Sequence, residues 1–257
     1  MNKPFFTIVT CTYNSEKHVL KNILSLKRQN YDDYEHLFID GFSKDNTKKI
    51  LLKYKKKSKN VNIIQTDPKG ISNAMNLGIK NALGEYIIFL HSDDSLSDSN
   101  VLIDMSNYLK RNKDVDWIYG KINVFRNGNE SLGVFPSKKI YRILPTCVLK
   151  YFNYIPHQAV FMKKKVFNNF GYFDETVNSA MDIDYWLRIY KKTKWMYVDR
   201  IITNYSIRED AQSSGLINKT ENDRNIIKVE KRYLSDIELS IFKLVKKIVD
   251  HYNKTRC

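Results

Sequence analysis

The sequence predicts an α/β fold built on a mostly parallel sheet flanked by helices, and three observations predict it. Strand-like and helix-like stretches alternate through the first hundred residues. The strand-like stretches are continuous apolar runs, as expected of strands covered on both faces. Each run ends in a short polar cluster, and in parallel sheets the ends of strands are where ligands bind.

The elements follow in order. "FFTIVTCT" (5–12) is rich in β-branched and aromatic residues and reads as the first strand. Asn14 or Ser15 is placed to cap a helix whose apolar face is Val19, Leu20, Ile23, Leu24 and the stem of Lys27. "EHLFID" (35–40) is a second strand. Ser43 is placed to cap the next helix, which runs to Tyr54, with Asp45 where the helix dipole favours an anion. "VNIIQ" (61–65) is a third strand, and 71–82 puts Ile71, Ala74, Met75, Gly78, Ile79 and Ala82 on one helical face. "EYIIFL" (85–90) is a fourth strand. Beyond it, 116–125 and 195–199 read as strands, 158–167 as a strand entering a short helix, and 181–192 as a helix. The chain from 218 onward is mostly helical. No internal repeat or low-complexity linker is present.

Composition narrows the function. The chain has 257 residues, 42% hydrophobic and 28% charged, enough for a sizeable core. Its net charge is +15, which suits nucleic acid, an anionic membrane or a phosphorylated small ligand. Lys53 to Lys59 holds five lysines but a single aromatic, Tyr54, and no nucleic-acid motif appears, so a nucleic-acid partner is not expected. Cys11, Cys147 and Cys257 are scattered without a CxxC pair, which argues against a disulfide framework or a zinc site. No stretch reaches the ~20 apolar residues of a membrane span. A cytoplasmic protein is expected, soluble or held at the inner face of the cytoplasmic membrane.

Four polar clusters should converge on one crevice: Thr12-Tyr13-Asn14, Asp40-Gly41, Asp67 to Gly70, and Ser92-Asp93-Asp94. Asp93 and Asp94 make a hard oxygen site for Mg²⁺ or Mn²⁺; a plain polar turn is the alternative. Asp40 is placed to accept a base N–H. Lys69-Gly70 precedes a helix start, itself an anion site. Tyr13 offers an aromatic face for a nucleobase.

With these residues, "TIVTCTYNSEKHVLKNILSLKRQNY…EHLFIDGFSKDNT", "DPKGISNAMNLGIKNALGEYIIFLHSDD" and "GYFDE" together resemble the family 2 glycosyltransferases, over roughly 4–210. The resemblance implies the GT-A fold, with a Rossmann-like sheet. It implies a transferase domain over 1–210, with a nucleotide-binding half (1–95) and an acceptor and catalytic half (96–210), followed by a helical extension (211–257). Thr12, Tyr13 and Asn14 match the nucleotide pocket, Asp40 the base-reading aspartate, and Asp67, Lys69 and Gly70 the diphosphate loop. Asp94 matches the metal ligand that ends a DxD-like motif, with Asp93 beside it.

Downstream, "SAMDIDYWLR" resembles the segment that holds the catalytic base, so Asp182 is placed ahead of Asp184 in that role, with Met181 replacing the usual Glu. An inverting transferase needs a carboxylate to take the acceptor's proton. His157 matches a residue that could contact acceptor or phosphate. Two features depart from the family: Tyr205-Ser206-Ile207-Arg208 lacks a metal-binding His, leaving Arg208 to meet a phosphate, and the Gln-x-x-Arg-Trp motif of processive synthases is missing.

The expectation is an inverting, metal-dependent transfer of one sugar per event, from a UDP-sugar or similar donor to a glycan or lipid-linked acceptor in bacterial surface polysaccharide assembly. A sugar-1-phosphate nucleotidyltransferase is the alternative enzyme, but "TYNSEKH" lacks the glycines it would need. A degenerate, nucleotide-binding relative is the other alternative. In 236–252, Ile237, Ile241, Leu244, Val245 and Ile248 form a stripe flanked by lysines, suited to a membrane surface, a second subunit or the chain's own domain.

Overall fold

The computed structural model describes residues 3–127, 130–136, 149, 153–177, 179–207 and 219–244. The chain opens with β1 (Phe6–Thr12), α1 (Val19–Lys27), β2 (Tyr34–Asp40), α2 (Thr47–Lys55), β3 (Val61–Gln65), α3 (Ile71–Asn81) and β4 (Tyr86–Phe89). It continues through β5 (Ser95–Leu96), α4 (Val101–Arg111), β6 (Trp117–Arg126) and β7 (Glu130–Phe135). A single 3₁₀ turn, His157–Ala159, leads into β8 (Val160–Lys163), α5 (Lys164–Phe170), α6 (Met181–Ile189), β9 (Trp195–Ile207) and α7 (Lys219–Tyr233). Residues 236–244 form a last described helix, α8.

These strands make one sheet, ordered β3-β2-β1-β4-β8-β6-β9-β5, with β7 paired to β6. β1 pairs in parallel with both β2 and β4, and β2 with β3. Beyond β4 the sheet is mixed: β8 is antiparallel to β4 and β6, whereas β9 runs parallel to β6. The chain steps outward from β1 to β3 and then returns to β4 on the other side. The switch point therefore lies between β1 and β4, where an open α/β sheet forms its ligand crevice.

Two large apolar clusters cover the two faces of the sheet. One joins Val9, Leu37, Met75, Ile79 and Ile87 to Trp117 and Trp186. The other joins Phe6, Ile8, Ile88, Leu102, Met105 and Phe161. Gly78 lets α3 lie close on β1, since a Cβ there would stand 2.4 Å from Val9 Cγ1. Within the extension, Val229 of α7 is fully buried in the first cluster, with Ile226 and Tyr233 packed beside it.

Three local expectations are corrected. On α1, Leu20 and Leu24 are each 53% exposed, while Val19, Asn22, Ile23 and Leu26 face inward. Asn22 sets that rotation by donating from Nδ2 to the carbonyls of Leu90 (3.3 Å) and His91 (2.9 Å). Neither Asn14 nor Ser15 caps α1 with its side chain; the Ser15 carbonyl accepts from the His18 and Val19 amides. Ser43 does not cap α2, because its hydroxyl is bonded to Asp40.

Candidate active site

The loops after β1, β2 and β3 meet around Gly41. A Cβ at Gly41 would stand 3.1 Å from the Tyr13 ring and 3.4 Å from Pro68. Tyr13 is 56% exposed and presents a free ring face. Asn14, at φ 49°, accepts from the Lys44 amide at 2.8 Å, tying the β1 and β2 loops together. Phe42 also sits at positive φ (52°) and is half exposed, a conformation that strains a bulky side chain.

Asp40 lies beneath this surface and is fully buried. Its Oδ1 accepts from the Thr12 hydroxyl at 2.9 Å and the Ser43 hydroxyl at 2.6 Å. Its Oδ2 accepts from the Ser43 amide and from Gln65 Nε2, both at 3.2 Å. A carboxylate has about four acceptor sites, so a base N–H reaching Asp40 must displace one of these donors.

On the diphosphate side, Asp67, Lys69 and Gly70 are exposed. Gly70 precedes α3 at φ 95°, and no side chain caps that helix. The first amides of α3 are therefore available for an anion.

The loop after β4 carries His91, Asp93 and Asp94. Asn22 fixes its start, and Asp94 at its end is fully buried, with Oδ1 3.4 Å from the Ser206 amide of β9. No group of three His, Cys, Asp or Glu side chains gathers to hold a metal among the described residues. Asp93 and Asp94 are carboxylates, the oxygen donors that a hard cation takes. Arg208 lies outside the described residues.

The far wall is α6. Asp182, in its first turn, is partly buried, and burial raises its carboxyl above its ordinary value against hydrogen bonds that lower it. Asp184 is occupied: Arg188 holds Oδ2, while Arg232 and Tyr233 of α7 each reach Oδ1 at 3.0 Å. His157 is buried between Phe89, His91 and Trp186, at ring separations of 5.3, 5.8 and 6.0 Å. Burial, with His91 close by, pushes its imidazole down to about 3, so the ring is neutral. A cavity of about 10 Å³ adjoins it, room for about one water. His157 thus stands behind the crevice and reaches it through His91.

The two walls are stitched together. Besides the His91–His157–Trp186 ring contacts, the Ser72 hydroxyl at the start of α3 donates to Met181 Sδ at 2.9 Å. Asn73 and Asn76 of α3 hold Glu175 of the "GYFDE" segment, each at 2.9 Å.

The family described as Glycosyl transferase family 2 matches residues 7–171, from β1 to the end of α5. The chain belongs to that family. This family 2 chain is 26% identical over 211 residues to a PGL/p-HBAD biosynthesis glycosyltransferase of Mycobacterium bovis, spanning 80% of this chain and 78% of that one. It is 27% identical over 196 residues to the poly(ribitol-phosphate) beta-N-acetylglucosaminyltransferase TarS of Staphylococcus aureus, covering 72% of this chain but 32% of TarS. Among solved structures, S. aureus TarS 1-349 in complex with UDP-GlcNAc superposes with a TM-score of 0.72 at 21% identity, covering 92% of this chain and 70% of that one. The mannosyltransferase PcManGT of Pyrobaculum calidifontis, in complex with GDP-Man and Mn²⁺, superposes at 0.67 and 14% identity, covering 91% and 66%. The fold is of the GT-A type.

In this family 2 transferase the helix that bears Asp182 lies beyond the matched residues. Sequence reasoning missed Ser43 and Gln65 around Asp40, Asn22 behind the β4 loop, and Asn153 against Asp182. Each is an amide or hydroxyl with no periodic signal, recognisable only once its partner is in place.

Proposed function

We propose that the chain transfers one hexosyl or N-acetylhexosaminyl unit per event, with inversion, from a nucleotide-diphospho sugar to a glycan or lipid-linked saccharide in bacterial surface polysaccharide or lipopolysaccharide assembly. A UDP-sugar is the proposed donor, in keeping with the UDP-GlcNAc of the TarS complex. One observation carries the reading. The aspartate-bearing loop after β4 and the start of α3 are each joined to α6, the first through the ring contacts His91–His157–Trp186 and the second through Ser72–Met181, which supports a shared site.

Tyr13 then covers the nucleobase, above a loop that Asp40, Thr12 and Asn14 hold in shape. Lys69, Gly70 and the first amides of α3 receive the diphosphate, and Asp67 and Asp93 border the nucleotide. Asp94 would hold Mn²⁺ or Mg²⁺, which when bound neutralises charge on the leaving diphosphate. Asp182 takes the proton of the acceptor hydroxyl as its oxygen bonds to the anomeric carbon, opposite the departing diphosphate. Asp184 is left to hold α6 against α7.

The test is thermal unfolding with Mn²⁺ and each of UDP, GDP, CDP and ATP, for the native protein and Asp94→Asn. A ligand that binds the native state raises the melting temperature by mass action. The expected result is a metal-dependent rise with UDP that the variant loses. A flat response to every nucleotide would overturn the donor site.

Membrane contact through 236–252 is part of the same proposal. Ile237, Ile241 and Leu244, one face of α8, are 76%, 46% and 59% exposed, whereas Leu239 and Phe242 pack towards Ile226. No described helix is long and apolar enough to cross a membrane. Co-sedimentation with anionic vesicles, lost in Ile237→Ser/Ile241→Ser, tests this. A concentration-dependent dimer in light scattering would instead assign the face to a second copy.

A further inference from the structure

Asp182 lies in the first turn of α6, and two donors fix its carboxylate from different parts of the chain. The Ile183 amide donates to Oδ1 at 2.8 Å. Asn153 Nδ2 donates to Oδ2 at 3.2 Å, across 29 residues of sequence. The Asn153 side chain is itself oriented, because its Oδ1 accepts from the Ile155 amide at 3.2 Å. That contact turns the oxygen away from Asp182 and leaves the NH₂ group facing it. An amide NH₂ can only donate, so this contact favours an ionised Asp182. With a donor on each oxygen, the carboxylate plane is held.

We propose that Asn153 is a positioning residue for the reaction, which orients the Asp182 carboxylate and keeps it ionised at the pH of transfer. The inference rests on the reading of Asp182 as the base. Burial works the other way and raises the Asp182 carboxyl. Among the described residues no charged side chain shifts it. On α6, Asp184 is neutralised by Arg188 and by Arg232 of α7. From α3 the neighbour is the neutral Ser72, hydrogen-bonded to Met181. The turn before β8 adds no charge, since His157 is neutral, with its ring tilted against Trp186 at 6.0 Å. Hydrogen bonds, with no formal charge, therefore oppose burial at Asp182 among the described residues.

The test reads the carboxyl directly. Full-length protein is labelled with ¹³C at the aspartate side-chain carboxyls, and the Asp182 resonance is identified by its loss in Asp182→Asn. Its titration midpoint is then compared between the native protein and Asn153→Ala. Loss of the donor moves the midpoint up by about one pH unit, the equivalent of one typical hydrogen bond. Asn153→Ser, which keeps a short donor, moves it less. Asn153→Asp, which places a second carboxylate beside the first, moves it further, and carries the test if the alanine variant does not fold. A midpoint within about 0.3 units of the native value in the folded variants overturns the proposal.

In turnover the same change carries the acid limb of kcat/KM to higher pH and leaves the KM for donor unchanged. The two readings fail separately. If Asp182→Asn retains native turnover, the base assignment falls while the titration result stands. If Asp182→Asn is inactive and Asn153→Ala titrates as the native protein does, the role of Asn153 alone falls.

Discussion

Asp40 carries four hydrogen bonds on two oxygens in a site closed to solvent. Asp40→Asn puts an NH₂ group where two donors converge, so at least one buried donor loses its acceptor. The expected cost is about 1–3 kcal/mol, read as a lower urea midpoint at unchanged slope. Asp182 behaves in the opposite sense. Its folded-state carboxyl is raised, so ionising it costs stability, and that cost grows as pH rises through the ordinary carboxylate range. Asp182→Asn should therefore lose less stability than the native protein as pH rises through that range, while its kcat falls by about 10²- to 10⁴-fold, the usual worth of a general base. An equal pH dependence of stability with a normal rate would remove Asp182 from the chemistry.

Elements are placed by a few close contacts. Gly78 puts α3 against β1 with no room for a methyl, the gap to Val9 being 2.4 Å. Alanine gains up to about 1 kcal/mol of helix propensity over glycine, but overpacking costs about 1–3 kcal/mol. Gly78→Ala should therefore be destabilising by about 1–2 kcal/mol in urea unfolding, and stabilisation would mean that α3 can shift. At the other wall, Arg232 of α7 reaches both Asp174 (2.7 Å) and Asp184 (3.0 Å). Arg232→Gln leaves Asp184 with Arg188 and Tyr233. The expected loss is about 1–3 kcal/mol, with the UDP-dependent rise in melting temperature retained because the donor loops lie elsewhere. Loss of both responses together would show that α7 supports the nucleotide side as well.

At the scale of the whole molecule, buried histidines add to the loss of stability in acid. Burial holds His36 down to about 3, and His157 sits equally low. Both are neutral when folded and take up protons when unfolded below the free histidine value of ~6.5. Their stabilising contribution is complete above that value and is lost as pH falls towards 3. Between pH 7 and pH 5 each should cost about 2 kcal/mol, about 4 kcal/mol together. Urea midpoints at the two pH values measure this, and His36→Phe should reduce the dependence by about 2 kcal/mol. A native protein with equal midpoints at pH 7 and pH 5 would mean that water reaches these rings.

By itself the sequence determined the β1 to β4 half of this protein. Its apolar runs are local and periodic, so strand boundaries such as Val61–Gln65 and the polar clusters that follow could be read in order. The DxD-like carboxylates at the end of β4 were legible for the same reason. Tertiary structure decided which way each helix faces and what each polar side chain does. The inward face of α1 follows Asn22, because two carbonyls after β4 need its amide more than Leu20 and Leu24 need burial. Asp182 and Asp184 stand two residues apart on one helix and look alike in sequence. α7, arriving from about fifty residues downstream, closes over Asp184 and leaves Asp182 facing Asn153. Hydrogen-bond partners joined across such separations have no local pattern, and only the folded chain brings them within reach.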